Sequence, residues 1–154
     1  MLVVALLGLP LLVGCHRPKH FTSTVRVERI EVVHRDPSGK ALSTDVDLLW
    51  TECPGVQRQT VRAGNDFSAC AKDFKPGMTL PVEVLWEWDE HGHYDWHVTK
   101  MGSCSLPHVD DDDSSFESIA ECVDSKQHDA VVGFHCDLVS QGELVQKCPW
   151  FRGK

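Results

Sequence analysis

Several common features are missing from this chain, and each absence removes a class of protein. The longest apolar run, Leu2 to Val13, is broken only by Gly8 and Pro10 and gives way to His16-Arg17-Pro18-Lys19. It is short of the roughly 20 apolar residues that span a bilayer. There is no excess of basic residues: 15 Lys and Arg face 23 Asp and Glu, for a net charge of −8. Nucleic acid is therefore excluded as a partner, because phosphate binding needs a cationic surface. The charge also argues against electrostatic attachment to anionic lipid. The cysteines include no C-x-x-C or C-x-x-H pair, the close spacing that structural zinc sites use. G-x-S-x-G, S-x-x-K and H-E-x-x-H are also missing, so the common nucleophile and metalloprotease signatures are not available. No catalytic residue and no cofactor is assigned from the sequence.

What is present begins with Leu12-Val13-Gly14-Cys15 at the end of the apolar run. The run has the length of a signal-peptide h-region. The four residues resemble a bacterial lipobox, in which a small residue precedes a cysteine that is lipidated and becomes the new N-terminus. The resemblance implies that residues 1–14 are a signal peptide and that Cys15 carries acyl chains such as palmitate. It further implies that residues 15–23 are a tether and that the rest faces an extracytoplasmic space from the cell membrane or the outer membrane. His16, a residue other than Asp after the cysteine, goes with outer-membrane sorting in that family. One acyl chain holds a protein to a bilayer only marginally, whereas two or more anchor it durably.

Six further cysteines remain, Cys53, Cys70, Cys104, Cys122, Cys136 and Cys148. An even set in a short exported chain reads as a disulfide framework, with 15 possible pairings. The expected pairing joins Cys53 to Cys70, closing a loop of about 17 residues and contributing about 3 kcal/mol. Cys104–Cys122 and Cys136–Cys148 would then staple the C-terminal region.

The hydrophobic pattern divides the chain. Val25 to His34 is β-branched, with a change of face near Glu28-Arg29 that a β-bulge explains. Asp36-Pro37-Ser38-Gly39 is a turn. Val46, Leu48 and Trp50 alternate as a half-buried strand. After the Pro54-Gly55 turn, Val56 to Arg62 reads as a polar edge strand. Phe67, Cys70, Ala71 and Phe74 then fall at helical spacing, with Gly64 or Asn65 as cap and Pro76-Gly77 as stop.

Two more strands follow, Leu80 to Trp88 and His93 to Met101. A five-residue loop, Asp89 to His93, pairs Trp88 with Tyr94, Trp86 with Trp96 and Val84 with Val98. A four-residue loop would mix the faces and forfeit these pairs, each contributing about 0.2–1 kcal/mol.

This order of three strands, a helix and two strands resembles the OB-fold, a small five-stranded Greek-key barrel. The alternative is a plain β-meander with a packed helix. The reading is a mainly β protein, with an OB-like domain over residues 24–104 and a disulfide-stapled α/β segment over 105–154. In that segment Asp110 to Asp113 is a solvated linker and Phe116 to Val123 is a helix. Ala130 to Cys136 is a strand and Gly142 to Lys147 a helical turn, with Trp150 and Phe151 packing back on the barrel.

Three constellations suggest chemistry. His91, His93 and His97, with Asp89 or Asp95, have the donor types that zinc and copper favour, but the hairpin register carries His97 beside Leu85, away from the tip. Glu87 and Asp95 face each other on the outer side of the hairpin, as paired carboxylates do in glycoside hydrolysis. Trp50, Trp86, Trp88 and Trp96 share the core face, where tryptophan is usually structural.

The sequence thus points to a lipid-anchored, non-enzymatic binding or structural module of the cell envelope, with an envelope protein or glycan as partner. A metal-binding protein using the histidine hairpin is the second reading, and a polysaccharide hydrolase the third.

Overall fold

The computed structural model describes residues 17–53, 56–88, 94–107, 116–138 and 147–152. The lipobox with Cys15, the Pro54-Gly55 turn, His91, His93, the Asp110–Asp113 run and residues 142–146 of the expected last turn lie outside the described residues. The protein is mainly β. Eight strands form one antiparallel sheet: β1 Lys19–Arg35, β2 Ala41–Trp50, β3 Val56–Ala63, β4 Thr79–Trp88, β5 Tyr94–Met101, β6 Cys104–Ser105, β7 Phe116–Gln127 and β8 Ala130–Leu138. Their spatial order is β6-β5-β4-β1-β2-β3-β7-β8. One helix, α1 Asn65–Ala71, lies between β3 and β4, and a helical turn, α2 Pro149–Arg152, ends the described chain. Among the described residues no helix is long and apolar enough to cross a membrane.

β1 organises the sheet. Its alternation buries Phe21, Ser23, Val25 and Val27 on one face and exposes Thr22 and Arg26 on the other, the period-2 pattern of a half-buried strand. The strand pairs with β4 through Lys19–Arg26 and with β2 through Val25–Arg35. The register shifts between Val27 and Arg29, at the expected slip. A bulge bends its strand and adds local twist, so the two halves of β1 serve different neighbours. The amide of Val27 donates to Met78 O (2.8 Å), and its carbonyl accepts from Gly77 N (2.7 Å). These bonds pin the turn after α1 to the bend. Gly77 sits at φ 88, a left-handed conformation that favours glycine.

The bend curls the sheet until β2 and β5, three strands apart in the order, meet across the core: the Trp50 and Trp96 rings are 5.4 Å apart. Val46, Leu48, Val61, Val82, Val84 and Val98 fill the space around them, each 1 % exposed or less. The expected β1–β2 turn is present, with Asp36 Oδ1 accepting from Ser38 N (2.8 Å), Ser38 Oγ (2.6 Å) and Lys40 N (2.9 Å). The β4–β5 register is the one expected: Trp88 pairs with Tyr94, Trp86 with Trp96, Val84 with Val98 and Leu85 with His97.

Other expectations are corrected. β1 begins at Lys19, so residues 19–23 are paired strand and not tether; Phe21 and Ser23 continue the buried alternation of Val25 and Val27. Phe116–Gln127 is a strand, although Phe116, Ile119, Ala120 and Val123 have helical spacing. It pairs with β3 from Val56↔Cys122 to Arg62↔Phe116, satisfying an edge whose backbone groups would otherwise stay unpaired. β3 is consequently interior, and the C-terminal strands extend the sheet instead of forming a separate appendage.

The expected disulfide pairing also gives way. Cys53 bonds Cys148 and Cys70 bonds Cys104. Cys136 is disulfide-bonded too and stands opposite Cys122 in the β7–β8 ladder. Pairing by proximity in sequence fails because the curled sheet places β2 beside the C-terminus and α1 beside β6. On α1 the buried positions are Phe67, Ser68 and Ala71, and Cys70 is exposed. Gly64 is the N-cap residue, without a side-chain cap bond.

Candidate binding surface

The Cys53–Cys148 bond, between residues 95 apart in sequence, brings α2 onto the sheet where the N-terminal half of β1 meets β4. The two α2 aromatics then divide their roles. Trp150 points inward, with ring centroids 5.8 Å from Trp50, 6.2 Å from Trp96 and 5.2 Å from Phe21. Phe151 turns toward the rim and stacks on Trp86 at 4.2 Å with an interplanar angle of 12°, 5.9 Å from Phe21. Stacked and tilted aromatic pairs contribute about 0.5–1.5 kcal/mol each beyond the area they bury. Deep in the cluster, Trp50 Nε1 donates to Gln59 Oε1 (3.0 Å). The buried indole N–H groups of Trp96 and Trp150 have no acceptor among the described residues.

At the rim, Lys19, His20, Phe21 and Phe151 line a cleft of about 460 Å³, within the range of small-ligand sites. Lys19 is opposite Trp86 in the β1–β4 ladder, which sets its ammonium 6.0 Å from the centre of that ring, at the outer limit of a cation–π contact. Trp88 extends the same face of β4 past this point and is 43 % exposed. The expected core role therefore holds for Trp50 and Trp96, partly for Trp86, and fails for Trp88, which lies at the end of its strand. The cleft sets the Lys19 amine against an aromatic wall, while the His20 side chain shares the outward face of β1 with Thr22 and Arg26. That suits an apolar or planar group carrying an anionic substituent, and no nucleophile–base pair is placed in it.

Among the described residues, the other candidates are not brought together in this way. His97 is buried on the β5 face opposite Trp96, with Nε2 3.6 Å from Asp95 Oδ2. No group of three metal-ligating side chains occurs among the described residues. Glu87 and Asp95 are paired in register, but Asp95 is already engaged. Its Oδ1 accepts from the Trp96 amide at 2.8 Å, and its Oδ2 faces His97.

The outward face of β1, β2 and β3 carries an ion-pair ladder. Arg62 makes two bonds to Asp45 (2.6 and 2.9 Å), Arg29 donates to Asp47 (2.7 Å), and Thr60 donates to the same carboxylate (2.8 Å). The Asp47 bond holds the Arg29 guanidinium above its ordinary pKa. This ladder is a solvated structural face.

Comparison with protein-family models, curated proteins and solved structures finds no match. The cleft stands on its own geometry. Trp150 and Phe151 were legible in the sequence as residues that pack back, whereas Lys19 and His20 were hidden inside a segment assigned to the tether. Continuing the alternation of Val27, Val25 and Ser23 back to Phe21 and Lys19 is the signal that finds Lys19, whereas His20 lies off that phase.

Proposed function

We propose that the protein is a lipid-anchored component of the bacterial cell envelope whose β body is a non-enzymatic binding or structural module. Cys15 carries the lipid, and the body faces an extracytoplasmic space from the cell membrane or the outer membrane. The observation that carries this reading is the disulfide stitching of one small sheet by Cys53–Cys148 and Cys70–Cys104. Such bonds persist in oxidising compartments and are rare in the cytosol, and the apolar run before Cys15 supplies a route there. An envelope protein or glycan is the partner of the body in this reading.

We further propose that the body is a variant of the OB-like barrel. In support, the order β5-β4-β1-β2-β3 keeps β1 between β2 and β4, and Trp50 meets Trp96 across the curled sheet. The difference is at β3, whose free edge pairs with β7.

Metabolic labelling with radioactive palmitate tests the anchor. The expected result is label in the full chain and none in Cys15→Ala. Thiol titration in intact cells tests the compartment. Absence of label, or titratable Cys53 and Cys148 in the native protein, overturns the reading.

A further inference from the structure

We propose that the end of the body carrying Arg17, Lys19, Trp86, Trp88 and Phe151 is a membrane-docking face, seated on the anionic headgroups of the leaflet that holds the lipid on Cys15. This deepens the anchor reading and rests on it. The first argument is length. β1 begins at Lys19, four residues after Cys15. At no more than about 3.6 Å per residue, the acylated cysteine is within about 14 Å of Lys19. Headgroup regions and the Debye length are each on the order of 10 Å. An anchored body therefore keeps this end within about one headgroup layer and one Debye length of the acyl chains, and what lies there must suit that zone.

The second argument is composition. In a chain of net charge −8, the exposed residues at this end of β1 on the Trp86 face are Arg17 and Lys19. Beside them are Trp88, 43 % exposed, and the half-buried pair of Trp86 and Phe151. Exposed tryptophan next to lysine and arginine is the side-chain chemistry of a bilayer interface, where an amphipathic ring and a cation sit at headgroup level. The carboxylates Glu87 and Asp95 lie on the opposite face of the β4–β5 hairpin. Glu52, on the same side as Ser23, accepts the Ser23 hydroxyl at 2.7 Å. A cation at an anionic surface strengthens attachment about fivefold, so this patch orients a body that the acyl chains already hold.

The test uses the lipidated full chain, purified from membranes and reconstituted into phosphatidylcholine vesicles with and without phosphatidylglycerol, their acyl chains brominated near the headgroup. Flotation reports anchoring, and bromine quenching of tryptophan reports docking. The expected result is strong quenching that Trp88→Phe largely removes. Arg17→Glu with Lys19→Glu should abolish the gain that phosphatidylglycerol gives. These surface changes leave the core packing intact, and near-ultraviolet circular dichroism checks that. Flotation with no quenching difference between the wild type and Trp88→Phe overturns the docking face while leaving the anchor standing. Failure to float overturns both. Trp88 shielded from acrylamide yet unquenched by bromine assigns the patch to a second protein and overturns the proposal.

Discussion

Removing the Cys53–Cys148 bond is the sharpest perturbation of this fold, because the bond sets both stability and the binding surface. Its partners are 95 residues apart, and a loop of that size restricts the unfolded chain by about 4.7 kcal/mol. The Cys70–Cys104 bond bypasses 34 of those residues, which lowers the figure to about 4.3 kcal/mol. That is a large share of the 5–15 kcal/mol typical of a folded domain. Cys53→Ala with Cys148→Ala is therefore expected to cost about 4 kcal/mol, and alanine avoids burying a hydroxyl where the cysteines are 6 % and 0 % exposed. In urea, with a slope near 2 kcal/mol/M, the midpoint should fall by about 2 M.

The loss has a second signature. α2 is a single helical turn, and without the bond its Trp150 and Phe151 lose the tether that holds them against Phe21, Trp50 and Trp86. Tryptophan emission of the native state should shift to the red. Cys70→Ala with Cys104→Ala serves as the control. Its shorter loop predicts a cost of about 3.8 kcal/mol with native emission unchanged, because that bond ties α1 to β6. A drop below about 1 kcal/mol in the first variant, or a red shift equal in both, would refute the assignment of α2 docking to this bond.

Three further outcomes follow from the same structure. Trp50→Phe leaves the Gln59 amide, 0 % exposed, without its indole donor and should cost about 1–3 kcal/mol beyond the packing loss; a cycle with Gln59→Leu, read by urea melts, should show that excess as a coupling energy. Arg62→Ala strands the Asp45 carboxylate, whose side chain is 12 % exposed. A partly screened pair of this kind implies a loss of about 1–2 kcal/mol, most of it recovered by Asp45→Asn in the same background. Asp36 is held below its ordinary carboxylate pKa, first by the Ser38 hydroxyl and then by the Lys40 amide. Its folded pKa is depressed, so its contribution is present above the ordinary value and is lost as pH falls through the folded one. Acid unfolding of Ser38→Ala should accordingly be less steep in that window, and NMR titration of the Asp36 carboxyl should move upward.

The sequence by itself determined what depends on near neighbours. The β1 bulge, the Asp36 turn, the core face of Val46, Leu48 and Trp50, and the full β4–β5 register were legible, because side-chain alternation and a short loop leave one register that keeps aromatics together. The return of Trp150 and Phe151 to the core was legible because the segment after Cys104 carries too little apolar surface to fold alone. What only the tertiary structure decided depends on residues far apart in the chain. Phe116–Gln127 has helical spacing and still forms a strand, since the open edge of β3 offers it a complete ladder of hydrogen bonds. The cysteines pair across 95 and 34 residues because the bend in β1 curls the sheet and brings its ends together. Lys19 and His20 become part of a cleft for the same reason: a disulfide at the other end of the chain delivers Phe151 to them, and no local pattern encodes that meeting.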